Sequence, residues 1–194
     1  TRDFELGARF VCVLFGSLLP VAMFLLASTM YSRRTSLWIA AVGALHPLLI
    51  SISAWTYSEC SYMTVVLLGL YLTIRCMQGA GTAYFVFTGI VLACAYLIRP
   101  EGFILPFLAV VFVTAARWRT MAVTVPRVAL LLATFAVIAT PYIAFVSRHT
   151  GQLRFEGKTP INFEMARRVL AGEGYLDVIY GLGPNLVEQG VYMR

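Results

Sequence analysis

Tyr96-Leu97-Ile98-Arg99-Pro100-Glu101-Gly102 sets a guanidinium and a carboxylate two positions apart, at the seam between two long apolar runs. An ionisable residue at membrane depth costs about 2.5–3.5 kcal/mol on insertion scales, so where one persists it marks function. The same residues also suit an interfacial turn. Pro100 fits the first position of a helix, Glu101 its first turn, and Arg99 can snorkel to water. The runs on either side decide how the stretch is read.

Those runs belong to a membrane protein. The chain is 60% hydrophobic and 12% charged, with a mean hydropathy of +0.81. Its apolar stretches approach the length of about 20 residues that carries a helix across a bilayer. Charges and turn residues divide it into six expected spans: 10–31, 36–58, 60–74, 80–98, 102–116 and 128–147. A polar, glycine-containing segment, 148–194, follows outside the bilayer. The expected fold is an all-α, polytopic transmembrane helical bundle with an outward-facing juxtamembrane tail. Within that tail, 162–170 has the pattern of a short amphipathic helix, apolar at Phe163, Val169 and Leu170 and basic at Arg167 and Arg168. Such a helix lies along a membrane surface or packs on a protein one. The chain opens at Thr1 without a signal sequence, and reads as a piece of a longer protein.

The net charge of +6 does not point to nucleic acid, because the basic residues sit at the ends of apolar runs, where they set topology. Cys12, Cys60, Cys76 and Cys94 are scattered through those runs with no C-x-x-C. They read as small packed hydrophobes, neither a disulfide framework nor a zinc site.

Orientation follows from charge. The connections after the first, third and fifth expected spans hold Arg33, Arg34, Arg75, Arg117, Arg119 and Arg127 and no acid. That side is expected in the cytoplasm. The opposite, extracytoplasmic side receives Glu59, Arg99, Glu101 and the tail. Glu59 is separated from Arg75 by 15 uncharged residues, and Glu101 from Arg117 by another 15. As helix each run covers roughly 22 Å, short of the roughly 30 Å hydrocarbon core. A short glutamate hardly snorkels. Both carboxylates are therefore expected at or below the outer interface, tolerable beside water or a cation, unless the bilayer thins locally.

No soluble-enzyme motif is present: no P-loop, G-x-G-x-x-G, H-E-x-x-H or G-x-S-x-G. His46, beside Pro47, is expected to hydrogen-bond a neighbouring helix or a carbonyl freed by the proline. Pro20, Pro106 and Pro141 are expected kinks. Trp38, Trp55, Tyr57, Tyr84 and Trp118 suit interfacial belts. The ionisable groups gather at one face rather than at the midplane, which suits an interfacial enzyme better than an ion-coupled carrier.

The order of these features resembles the polytopic GT-C glycosyltransferases, specifically relatives of the dolichyl-phosphate-mannose protein mannosyltransferases and the lipid A aminoarabinose transferases (the family-39-like group). The matching stretches are Glu5-Leu6-Gly7-Ala8-Arg9-Phe10-Val11 with Gly16, Leu45-His46-Pro47-Leu48-Leu49 followed by Ser53-Ala54-Trp55 and Ser58-Glu59, and Gly89 through Gly102. Pro141-Tyr142, Thr150-Gly151 and Gly157-Lys158 complete the series. They cover nearly the whole chain.

The resemblance implies a multi-pass enzyme of the cell (inner) membrane, active at the extracytoplasmic face. It would move a hexosyl or pentosyl unit from a polyprenyl-phosphate donor to a hydroxyl of a lipid, glycan or protein, inverting the anomeric centre. The family's main catalytic aspartate lies in the first outer loop, which would precede Thr1, and Asp3 takes its place only by default. Glu59 matches the family's second acidic position, where it helps a cation or basic residue hold the lipid phosphate. Lys158 matches a Gly-x-Lys position near donor phosphate or sugar, and Arg99 and Glu101 match an R-P-E-G turn. The expected catalytic set is thus Glu59, Arg99 and Glu101. Arg99 and Lys158 are expected to bind donor phosphate, and Glu59 is a candidate ligand for a divalent metal ion. Two other readings are a transporter or lipid-carrier flippase and a non-catalytic membrane scaffold, which would tolerate replacement of Glu59, Arg99 and Lys158.

Overall fold

A computed structural model describes residues 2–55, 58–156 and 158–174, the side chains of 2–5, 150, 158–162 and 164 excepted. All the regular structure among them is helical, as the composition requires when backbone groups must be satisfied within each segment. The first helix, α1 (Arg2–Ala27), runs through Pro20. It starts earlier and ends sooner than the expected span 10–31. Its end is set by Ser28 and Thr29, whose hydroxyls donate back to Leu25 O at 2.7 Å and Leu26 O at 2.7 Å. Ser32 then caps α2 (Arg33–Leu45), accepting from Thr35 N at 3.3 Å.

The expected span 36–58 is broken. The helix α2 ends at Leu45, and α3 (Pro47–Ala54) resumes at an angle of 55°. Pro47 has no N–H to give, and it drives His46 into extended backbone, φ −70° and ψ 117°. His46 itself is exposed. Contrary to expectation, its ring bonds no neighbouring helix among the described residues; the break is a backbone effect.

Next come α4 (Ser58–Met77), α5 (Thr82–Ile98), a 3₁₀ turn (Pro100–Ile104), α6 (Leu105–Ala116) and α7 (Met121–Thr150). Pro106 is not a kink. It lies in the first two positions of α6, where its missing N–H costs nothing. Pro126 and Pro141 lie inside α7. By length and composition three of the described helices suffice to cross a membrane, or four if α2 and α3 form one broken span; α5 and α6 are shorter apolar helices.

Thr1–Pro141 and Tyr142–Arg194 form two units. In the first, α1 packs against α2, α3 and α4, and α4 against α5 and α6. Its interior combines small and hydroxyl-bearing residues, among them Ala22, Ala93, Ala95, Ala109, Ser61, Thr64 and Thr88, with larger side chains such as Leu19, Phe85, Tyr96, Val113 and Leu131. Large apolar side chains such as Phe10, Val42, Val111, Phe112 and Val137 are exposed. Large apolar side chains turned outward, with small residues where helices meet, are what lipid as solvent selects, since close packing rather than hydrophobicity then holds helices together. A Cβ on Gly89 would lie 2.5 Å from Leu131 O, so α5 meets α7 backbone to backbone. In the second unit α8 (Lys158–Leu170) starts earlier than the expected 162–170, with Phe163 and Leu170 exposed and Arg168 paired to Glu173.

Candidate functional site

The R-P-E-G turn is shaped by its own residues. Arg99 precedes proline and is extended, φ −144° and ψ 134°, capping α5 with its N–H on Ala95 O at 2.9 Å. Pro100 starts the 3₁₀ turn, which Gly102 closes by donating to Arg99 O at 2.9 Å. Gly102 is pressed onto the end of α5. A Cβ there would lie 2.6 Å from Tyr96 N and 2.8 Å from Ala95 O. Phe103 anchors the turn from below, its ring 5.5 Å from that of Tyr96 and 6.2 Å from that of Phe135.

This geometry directs Arg99 at the start of α4. Its Nη2 donates to Glu59 Oε1 in an ion pair, and its Nε donates to Ser58 Oγ at 3.2 Å. The guanidinium lies 5.7 Å from the ring centroid of Tyr62, one turn further along α4. Glu59 occupies the first turn of α4, where a carboxylate is favoured by the helix dipole. Both partners are partly open, with side-chain exposures of 28% for Arg99 and 39% for Glu59. No described residue takes the Nη1 donors of Arg99.

Glu101 is exposed on the turn and has no ion pair among the described residues. Three of the expected residues, Glu59, Arg99 and Glu101, thus share one end of α4. Lys158 opens α8 in the second unit; its side chain and that of Asp3 lie outside the described residues. Tyr62 was not anticipated. Its i+3 spacing from Glu59 on a helix carried the signal.

The chemistry available is that of a half-buried, aromatic-backed guanidinium with donors to spare, held by one carboxylate and bordered by a second. Such a fork matches a phosphate. Among the described residues no three of His, Cys, Asp or Glu come together. Glu59, already bridged to Arg99, offers a single carboxylate where Ca²⁺ or Mg²⁺ takes about six oxygens.

The family model for dolichyl-phosphate-mannose-protein mannosyltransferase matches residues 2–144. No curated protein and no solved structure matches the chain.

Proposed function

Because the chain belongs to the dolichyl-phosphate-mannose-protein mannosyltransferase family, membrane glycosyltransferases of the GT-C type, we propose that it uses a polyprenyl-phosphate-linked sugar donor. It transfers a hexosyl or pentosyl unit to a hydroxyl of a lipid, glycan or protein at the extracytoplasmic face of the inner membrane. The observation that carries this reading is the Arg99–Glu59 pair at one end of α4, partly open and, among the described residues, without an acceptor at Nη1.

In the reaction the anomeric C–O bond to phosphate breaks and the phosphate keeps the electron pair. The acceptor oxygen bonds the anomeric carbon, and its proton passes to a carboxylate. Arg99 meets the charge that grows on the departing phosphate. Glu59 holds Arg99 in place and is a positioning residue. Glu101, exposed beside them, is the carboxylate available for the proton among the described residues. Lys158 adds positive charge toward the donor phosphate. A divalent ion at Glu59 would need ligands beyond those described, and the guanidinium does the charge neutralisation in this scheme.

The test uses the intact protein in proteoliposomes with a radiolabelled polyprenyl-phosphate sugar, comparing wild type, Glu59→Gln and Arg99→Ala. Label leaving the donor in wild type and sharply reduced in both variants supports the assignment. Label that crosses the bilayer while still attached to its lipid identifies a flippase and overturns it. Transfer at the wild-type rate in both variants removes the pair from the site.

A further inference from the structure

The opposite end of α4 carries a second concentration of guanidinium groups. Arg75 stands 16 residues after Glu59 on the same helix, about 24 Å away at the helical rise. Its Cζ lies 5.6 Å from the Tyr84 ring centroid, and its Nη1 donates to Gln78 Oε1 at 3.4 Å. Arg117 lies against the turn after α4, its Nη1 3.0 Å from where a Cβ on Gly79 would stand. Arg127 faces the next ring, its Cζ 6.0 Å from the Phe85 centroid. Cys76, Phe85 and Val128 share one buried cluster, with Tyr84 packed against it, so the residues that back or adjoin these arginines lie together.

Topology alone does not ask for this arrangement. Arginines that only orient a membrane protein extend into water, as the exposed Arg33 and Arg34 do. Here Arg75 Nε and Arg117 Nη1 are buried without a hydrogen-bond partner. A buried donor on a charged group is costly when unpaired. Among the described residues no acid pairs with either: from residue 6 to 155 the sequence holds only Glu59 and Glu101, both toward the other end of α4. Arg75, Arg117 and Arg127, each partly exposed and lying against Tyr84, the Gly79 turn and Phe85 respectively, offer guanidinium donors to a tetrahedral oxyanion. Arg75 ends a helix long and apolar enough to cross a membrane, which sets the cluster at headgroup depth. Trp118 and Met121, both exposed, flank it with apolar surface.

We propose that Arg75, Arg117 and Arg127 form an anion site that holds the phosphate of an anionic phospholipid headgroup, in the leaflet remote from Arg99. The recognised chemistry is a phosphate ester; the membrane is its source.

Native mass spectrometry of the intact protein released from nanodiscs of equimolar phosphatidylglycerol and phosphatidylcholine tests this. Wild type retains phosphatidylglycerol in preference to phosphatidylcholine. An Arg75→Gln/Arg117→Gln variant loses that preference by about tenfold or more, as loss of charge-assisted hydrogen bonds requires. Arg33→Gln/Arg34→Gln, which removes the same charge from the same expected side, retains it. The Arg117→Lys variant guards against misfolding as the cause, because it keeps the charge and loses only the fork. It should weaken retention several-fold with an unchanged melting temperature. Equal losses in both double variants, or full retention in Arg117→Lys, would overturn the site in favour of diffuse positive charge. Displacement of the lipid by glycerol phosphate in solution at matching concentration would overturn the membrane as the source.

Discussion

Arg99, the C-cap of α5, is ion-paired through Nη2 to Glu59 in the first turn of α4, forty positions earlier in the chain. Exposed to the degree these two are, such a pair contributes only about 0–1 kcal/mol to stability. Its consequence is positional: it fixes where the remaining guanidinium donors point.

Activity and stability should therefore separate at this pair. Arg99→Ala is expected to lower sugar transfer by about 10²-fold or more, the scale of losing one group that meets developing charge. Glu59→Gln should cost about tenfold, because the amide still accepts from Arg99 but no longer pairs with its charge. Arg99→Lys should recover only part of the loss, a point charge replacing a fork. Initial rates and detergent melting curves on the same preparations check this. Melting temperatures that fall in step with the rates would make the pair structural.

The turn depends on Gly102. Its Cβ position lies 2.6 Å from Tyr96 N, 2.7 Å from Ala95 C and 2.8 Å from Ala95 O, all backbone atoms that cannot swing aside. Gly102→Ala must push the 3₁₀ turn off α5, at a cost of about 1–3 kcal/mol. The expected result is a lower melting temperature together with lost transfer, since Arg99 moves with the turn. An unchanged melting temperature would show that the turn has room to spare.

How much of this was legible beforehand differs from residue to residue. The apolar runs announced helices, and Arg99-Pro100 announced a turn, because both are written in adjacent residues. That Glu59 faces Arg99 was not written there. Charge patterning puts both residues on one face of the membrane, but spacing tells which residues share a helix, not which helices are neighbours. Tyr62 was missed although its i+3 relation to Glu59 was visible. The dipeptide His46-Pro47 was seen, but its effect was assigned to the imidazole; the extended backbone at His46 and a 55° bend are the actual outcome. Packing of α1 on α3 through Gly16 has no local signature either, since it depends on the other surface being Ser53.

Lys158 is tied to the donor by resemblance and by charge. If it meets the donor phosphate in the ground state, Lys158→Gln should raise KM for the polyprenyl-phosphate sugar several-fold and leave kcat within about twofold, the pattern of lost uniform binding. Steady-state kinetics over a range of donor concentration distinguishes this. A fall in kcat at unchanged KM would instead give Lys158 a share in the transition state.

Two neighbouring changes rank the forces that join α1 to the rest of the first unit. Thr64 is buried, and its one hydroxyl proton is shared between Phe15 O at 2.9 Å and Cys60 O of its own helix at 2.9 Å. Interhelical hydrogen bonds of this kind average about 0.6 kcal/mol in membranes, because the separated helices find other partners. A Cβ on Gly16 would lie 2.4 Å from Ser53 Cβ and 3.3 Å from Cys60 Sγ, so a side chain there forces α1 away from α3 and α4 together. Overpacking at such a contact costs about 1–3 kcal/mol. Gly16→Val should accordingly lower the melting temperature in detergent well beyond Thr64→Val, although only the latter removes a hydrogen bond. The reverse order would mean that polar contacts, rather than close backbone approach, hold α1 in place.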